Sequence, residues 1–164
     1  HIWAEVAGCG MTADAYHLTA PHPEGQGASR VMALAIEEAG IAPQEIDYIN
    51  VHGTSTPLGD LAELKAIERV FGLETVKRIN ISSTKSMTGH LLGAAGAIEA
   101  LACLMAIEKG VIPPTINLQN PDPQVAPEFN LTPNVAQKRQ VRYALSNTFG
   151  FGGHNSSVIL KRVD

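Results

Sequence analysis

The sequence predicts an α/β protein, a five-stranded mixed sheet with helices on both faces. Two observations carry this. Short apolar or β-branched runs alternate with longer stretches of helical period, the pattern of a mostly parallel sheet covered on both sides. The last two apolar runs, 141–149 and 156–163, are joined only by a glycine-rich turn, too short for a crossover. The last strand therefore runs antiparallel, and the predicted order is β-α-β-α-β-α-β-β.

The first strand is Ile2–Val6, with a tight turn at Gly8, Gly10 and Met11, then a Pro-containing loop from Thr19 to Gly25. Gly27–Ala39 is helical: Val31, Leu34 and Ala35 share a face, Glu37 and Glu38 lie outside, and Gly40 is its C-terminal cap. Ile46–Val51 is the second strand, although it contains Asp47 and Asn50. Leu58–Phe71 is the second helix, with Asp60 and Glu63 near its start, where the helix dipole favours anions. Ile79–Ser83 is the third strand. Thr88 caps a helix that runs to about Lys109 and is ended by Gly110, Pro113 and Pro114. Residues 115–140 read as loop, and Val141–Phe149 and Ser156–Val163 are the last two strands.

The 164 residues suffice for one domain with a core, residues 1–164. A net charge of −4 gives no field to gather phosphates, which argues against a nucleic-acid binder. Leu91–Ile107, the longest apolar stretch, is glycine-rich and contains Glu99, so it reads as a buried helix and not as a membrane span. Cys9 and Cys103 stand in unrelated contexts and read as reduced thiols of a reducing compartment. The six histidines show no metal-type spacing. The chain opens on His1 inside an apolar run, which reads as a cut within a longer protein.

Open sheets of this kind bind ligands at the carboxyl ends of their parallel strands. That points to three segments. Val51–Pro57 (VHGTSTP) places three hydroxyls beside His52 after the second strand, although an ordinary polar strand-to-helix loop explains any one of them equally well. Ser82–His90 (SSTKSMTGH) follows the third strand. In the first turn of the long helix, the dipole and Lys85 would both disfavour charge on His90, and a neutral imidazole donates one hydrogen bond. The plainer alternative is a solvated Lys85 and a packing His90. Glu99 is the only charge between Leu91 and Ile107. Burying it requires a partner, and Lys85 is the nearest candidate, unless Glu99 reaches the surface. Asn147–Asn155 (NTFGFGGHN) reads as a glycine turn between strands and not as a phosphate loop, since no helix follows.

Together these segments resemble the elongating β-ketoacyl-acyl carrier protein (ACP) synthases of the thiolase-like superfamily. The motifs are HGTST, KSMTGHLLGAAG and NTFGFGG, in that order. The likeness covers the whole chain and is to the second of two duplicated halves. The first half, with the nucleophilic cysteine, has no counterpart here, and neither Cys9 nor Cys103 stands in its motif.

The resemblance implies a decarboxylating Claisen condensation of malonyl-ACP with an enzyme-bound acyl chain, giving 3-oxoacyl-ACP and carbon dioxide in fatty acid elongation. It implies catalytic roles for His52, Lys85 and His90, with Glu99 and Asn147 in support. Thr54 and Thr56 would bind the phosphopantetheine arm. Phe151 would gate the acyl pocket, its N–H completing an oxyanion hole with that of the missing cysteine, and Phe149 would line the wall. No intrinsic cofactor is implied, since phosphopantetheine arrives on the carrier protein. Some relatives hold a structural monovalent cation, and the matching positions are Asn50, Glu99, Ser146 and Asn147. The implied partners are ACP, the N-terminal half and a second copy in a homodimer, with neither nucleic acid nor membrane. The chain alone would be inactive in condensation. A polyketide ketosynthase is the close alternative, and a non-catalytic chain-length-factor-like partner is the distant one.

Overall fold

In chain order, the computed structural model contains β1 (Glu5–Ala13), α1 (Gln26–Ala39), a 3-10 turn (Pro43–Glu45), β2 (Tyr48–Asn50), α2 (Gly59–Phe71), α3 (Leu73–Val76) and β3 (Asn80–Ser82). These are followed by α4 (Lys85–Thr88), a second 3-10 turn (Leu92–Ala94), α5 (Ala95–Lys109), the short strands β4 (Val111–Ile112) and β5 (Gln137–Lys138), then β6 (Tyr143–Gly150) and β7 (His154–Lys161). It describes residues 1–163; Asp164, the last residue of the predicted 1–164 unit, lies outside the described residues.

The main sheet has five strands in the order β1-β7-β6-β2-β3. β2 runs parallel to both β3 and β6, and β7 runs antiparallel to β6 and to β1. The predicted mixed sheet with an antiparallel last strand is therefore found, with β7 inserted between β1 and β6.

Each sheet face has its own core. Ile49, Val51, Ile81, Leu145 and Ile159 pack with Val31, Met32 and Ala35 of α1 and Ala66, Ile67 and Phe71 of α2. Tyr48, Ala144 and Leu160 pack with Cys103, Ala106 and Ile107 of α5 on the other. The strict alternation of side chains along β2 and β6 produces this division.

Three expectations need correction. The first strand is not Ile2–Val6, since β1 begins at Glu5 and runs through Gly8 and Gly10. Those glycines make no turn. A Cβ on Gly8 would overlap the carbonyl oxygen of Ala35, and one on Gly10 that of Val31, so they allow the strand to lie directly on α1. The helix from Thr88 to Lys109 is broken: α4 ends at Gly89, whose φ is 72°, and α5 begins only at Ala95, with Ala94 and not Thr88 at its N-cap. Nor is that helix buried all round, because Leu101 is 53% exposed and Met105 is exposed beside it. Within 115–140, predicted as loop, the two-residue β5 pairs with β4 and Thr115 forms an isolated parallel bridge with Pro133.

Candidate active site

The carboxyl ends of β2 and β3 and the end of β6 deliver the predicted segments to one side of the sheet. Ser83 Oγ donates to the Gly53 carbonyl at 2.6 Å, tying the loops after β2 and β3 together. A Cβ on Gly53 would come within 2.8 Å of Ser83 Cβ, so this close approach requires glycine. Ser55 is held at φ 61°, a sparsely populated conformation for a non-glycine, and its N–H donates to Asp60 Oδ1 at 3.1 Å. Thr54 and Thr56 put their hydroxyls 3.1 Å apart on this loop.

The His52 and His90 rings stand 5.5 Å apart between centroids and almost perpendicular, at 85°. Phe149 lies 5.5 Å from His52 at 49°. Lys85 is buried and forms an ion pair with the buried carboxylate of Glu99, which also accepts from Thr148 Oγ1 at 3.5 Å. Nζ of Lys85 also lies 3.4 Å from Nδ1 of His52. Burial above all, then the positive Lys85 and then His90, lower the His52 pKa to about 3. His52 is therefore a neutral imidazole across the physiological range.

His90 is exposed and lies in the segment between α4 and α5, five residues before Ala95. The predicted influence of a long-helix dipole thus has no geometric basis. A local bond replaces it: the Leu92 N–H donates to His90 Nδ1 at 3.1 Å. A nitrogen that accepts carries no proton, which leaves Nε2–H as the ring's donor.

Phe151 is 79% exposed at the tip of the β6–β7 turn. Gly152 and Gly153 adopt φ 87° and 78° there. The Asp14 N–H donates to the Gly153 carbonyl at 2.9 Å, and Asp14 Oδ1 accepts from Asn155 Nδ2 at 2.8 Å. The sequence reading gave Asp14 no role. Nothing local marked it, because its partner lies 141 residues away.

Glu63 was also missed as a site residue. It is buried, and its Oε1 and Oε2 accept the backbone N–H groups of His52 and Gly53, each at 2.9 Å. Desolvation raises its pKa to about 7 against the opposing pull of these donors. The sequence reading had seen only an acidic residue near the start of a helix.

The side chains of the four positions proposed for a cation do not all lie on one face of the sheet. Ser146 and Asn147 are neighbours on β6 and face opposite sides of the sheet. The Asn147 amide donates to Glu63 on the α2 side at 3.1 Å, while Thr148, like Ser146, faces α5 and bonds Glu99. The Asn50 amide is bonded to Thr84 and Glu99 to Lys85. Among the buried side-chain polar atoms of the described residues, only Ser146 Oγ lacks a hydrogen-bond partner. These residues do not fit a four-side-chain cation site.

The strand-end loops bring two histidines and a buried lysine together, the arrangement that the ketosynthase resemblance implies. The β-ketoacyl synthase C-terminal domain profile matches residues 3–119, and the chain belongs to that family. It is 51% identical over 164 residues to 3-oxoacyl-[acyl-carrier-protein] synthase 2 of Staphylococcus aureus strain COL, covering 100% of this chain and 39% of that protein. It is 53% identical over 161 residues to the protein of the same name from Rhizobium meliloti strain 1021, covering 98% of this chain and 37% of that one. A solved β-ketoacyl synthase from Burkholderia phymatum superposes with TM-score 0.92 at 41% identity, over 100% of this chain and 38% of that one. A type II polyketide ketosynthase solved with its acyl-carrier protein superposes with TM-score 0.94 at 40% identity, over 100% and 40%. The chain thus spans about two fifths of the length of these relatives.

Proposed function

We propose that this chain supplies part of the active site of an acyltransferase of fatty acid elongation, a condensing enzyme that joins malonyl-ACP to an enzyme-bound acyl chain. The observation that carries the reading is the pair of nearly perpendicular imidazoles, His52 and His90, 5.5 Å apart. Each has Nδ1 occupied as an acceptor and Nε2–H left to donate. In the reaction the bond between the malonyl carboxylate and Cα breaks, and its electron pair moves toward the thioester oxygen. Two neutral N–H donors stabilise the resulting enolate without first giving up a proton. The carbanion then attacks the carbonyl carbon of the acyl thioester, the bond from that carbon to the cysteine sulfur of the N-terminal half breaks, the thiolate leaves, and 3-oxoacyl-ACP is formed. Lys85 keeps Nδ1 of His52 unprotonated, and Glu99 holds Lys85.

Thr54 and Thr56 would hydrogen-bond the phosphopantetheine arm of the carrier protein, and Phe149 would line the pocket beside His52. Phe151, on an exposed glycine turn, would swing as a gate. The nucleophilic cysteine would come from an N-terminal half. Leu92, Leu101 and Met105 are exposed apolar side chains that this half would cover. The assembled enzyme would be a homodimer of the cytoplasm or a plastid. No helix among the described residues is long and apolar enough to cross a membrane.

A polyketide ketosynthase is the second reading, favoured by the structural likeness to the polyketide ketosynthase solved with its carrier protein. A non-catalytic chain-length-factor role has less support, because a subunit without chemistry has no use for the His52–Lys85–His90 arrangement.

The test is to incubate the intact parent protein with malonyl-ACP and an acyl-ACP and to measure carbon dioxide and 3-oxoacyl-ACP. Both should form, and the 164-residue chain alone should give no condensation product. A parent that releases no carbon dioxide would refute the reading.

A further inference from the structure

We propose that Asn147 is a positioning residue whose side-chain amide, acting through the Glu63 carboxylate, fixes the backbone of His52 and Gly53 and so the place of the His52 imidazole. The inference rests on the reading of His52 as an enolate donor. It gives Asn147, on the strand that leads into the Phe149–Gly153 turn, a task other than cation binding.

Four elements meet at this point. Asn147 on β6 is fully buried, and its Nδ2 donates to Glu63 Oε1 on α2 at 3.1 Å. Its Oδ1 accepts from Ser157 Oγ on β7, which fixes the amide's orientation. Met32 Sδ on α1 lies 3.3 Å from the same Nδ2, so the amide has no room to turn away. Glu63 Oε1 also accepts the His52 N–H, and Oε2 accepts the Gly53 N–H.

The carboxylate therefore has three N–H donors and, among the described residues, no ion pair with a cationic side chain. A buried anion held in this way depends on every donor. Glu63 already lies near neutrality, pushed up to about 7 by burial. Removing the Asn147 donor favours proton uptake. A protonated carboxyl carries an O–H donor and is a weaker acceptor than the carboxylate, so the bonds from the His52 and Gly53 N–H groups weaken. Gly53, at φ 36°, sits in an uncommon conformation that those bonds help to hold. The predicted consequence is a loosened turn and a His52 ring displaced from its partner His90.

The experiment uses the full-length parent with Asn147→Ala, Glu63→Gln and the double variant. Ser157→Ala is a milder break in the same relay and serves if Asn147→Ala fails to fold. Amide hydrogen exchange is read on the segment 48–58, and malonyl-ACP decarboxylation is measured against pH. Asn147→Ala should speed exchange at His52 and Gly53 by about tenfold, the scale of one lost hydrogen bond to a charged group, with the β6–β7 core unchanged. Decarboxylation should fall by a similar factor, and the double variant should be no worse than Glu63→Gln alone. Unchanged exchange at His52 and Gly53 in a folded relay variant would overturn the inference, as would losses that multiply in the double variant. A parent without decarboxylation would overturn the reaction reading instead, and the exchange result would still decide the relay.

Discussion

Nζ of Lys85 lies 3.4 Å from Nδ1 of His52. An ammonium only donates, so Nδ1 must accept and the single ring proton of His52 sits on Nε2. One lysine thus selects the imidazole tautomer and, with burial, suppresses its charge. Glu99 fixes that lysine from behind.

Replacing Lys85 with alanine leaves Glu99 buried and unpaired. Breaking such a pair from one side costs about 3–5 kcal/mol, whereas replacing both partners by apolar residues costs much less. In the parent protein the urea midpoint should fall more for Lys85→Ala than for the Lys85→Met/Glu99→Leu double variant. The acidic limb of the decarboxylation profile should also move to higher pH, because His52 regains affinity for a proton. Equal midpoints for the two variants would contradict the buried pair.

His90→Ala removes one of the two N–H donors from the enolate oxygen. Losing a donor of this kind costs about 10²-fold or more in rate. Carbon dioxide release from malonyl-ACP should drop accordingly, with the thermal midpoint nearly unchanged because His90 is exposed. A wild-type rate in this variant would remove His90 from the site.

Much of this arrangement could be read from the sequence where the signal is local. Alternating runs and breakers place β2, α2, β3, β6 and β7 to within a few residues, and a lone acid in an apolar stretch predicts the Lys85–Glu99 pair. What escaped depends on contacts distant in sequence. Gly8 and Gly10 read as a turn because a glycine needed for φ and one needed for close packing look alike before α1 is in place. Glu63 read only as an acid near a helix start and Asp14 carried no reading at all, because the N–H groups that bond them come from other elements. The break between α4 and α5 was marked by Gly89 and Gly93, but in a stretch otherwise rich in helix-forming alanine and leucine these glycines read as interior to one helix.

Gly8 and Gly40 separate the two uses of glycine. A Cβ on Gly8 would meet the Ala35 carbonyl and come within 2.7 Å of Ala39 N, while one on Gly40 would meet nothing within 4 Å. Gly8→Ala should therefore force β1 off α1 and cost about 1–3 kcal/mol. Gly40→Ala, strained only by its φ of 64°, should cost about 1 kcal/mol. Chemical denaturation of the parent decides this. The reverse order would refute close packing at β1.

Phe151 stands exposed on a turn whose glycines allow it to move. Phe151→Ala should change acyl loading from acyl-ACP more than malonyl decarboxylation, since the latter depends on His52 and His90. Equal changes in the two single-step rates would contradict a gate.

His52 and Glu63 place opposite pH dependences in one loop. His52 titrates near 3 when folded and near its ordinary 6.5 when unfolded. Between those values the unfolded chain holds the extra proton, so this group makes stability rise with pH. Glu63 titrates near 7 when folded and near 4.5 when unfolded. Between those values the folded chain holds the extra proton, so Glu63 makes stability fall as pH rises. From pH 4.5 to 6.5 the two nearly cancel. Glu63→Gln should expose the rising slope and His52→Gln the falling one, each differing from wild type by at most about 1.4 kcal/mol per pH unit. Differences between variant and wild-type denaturant midpoints across this range remove the contributions of groups common to both. Slopes of the same sign in the two variants would show that the neutral imidazole and the buried carboxyl do not coexist in the folded protein.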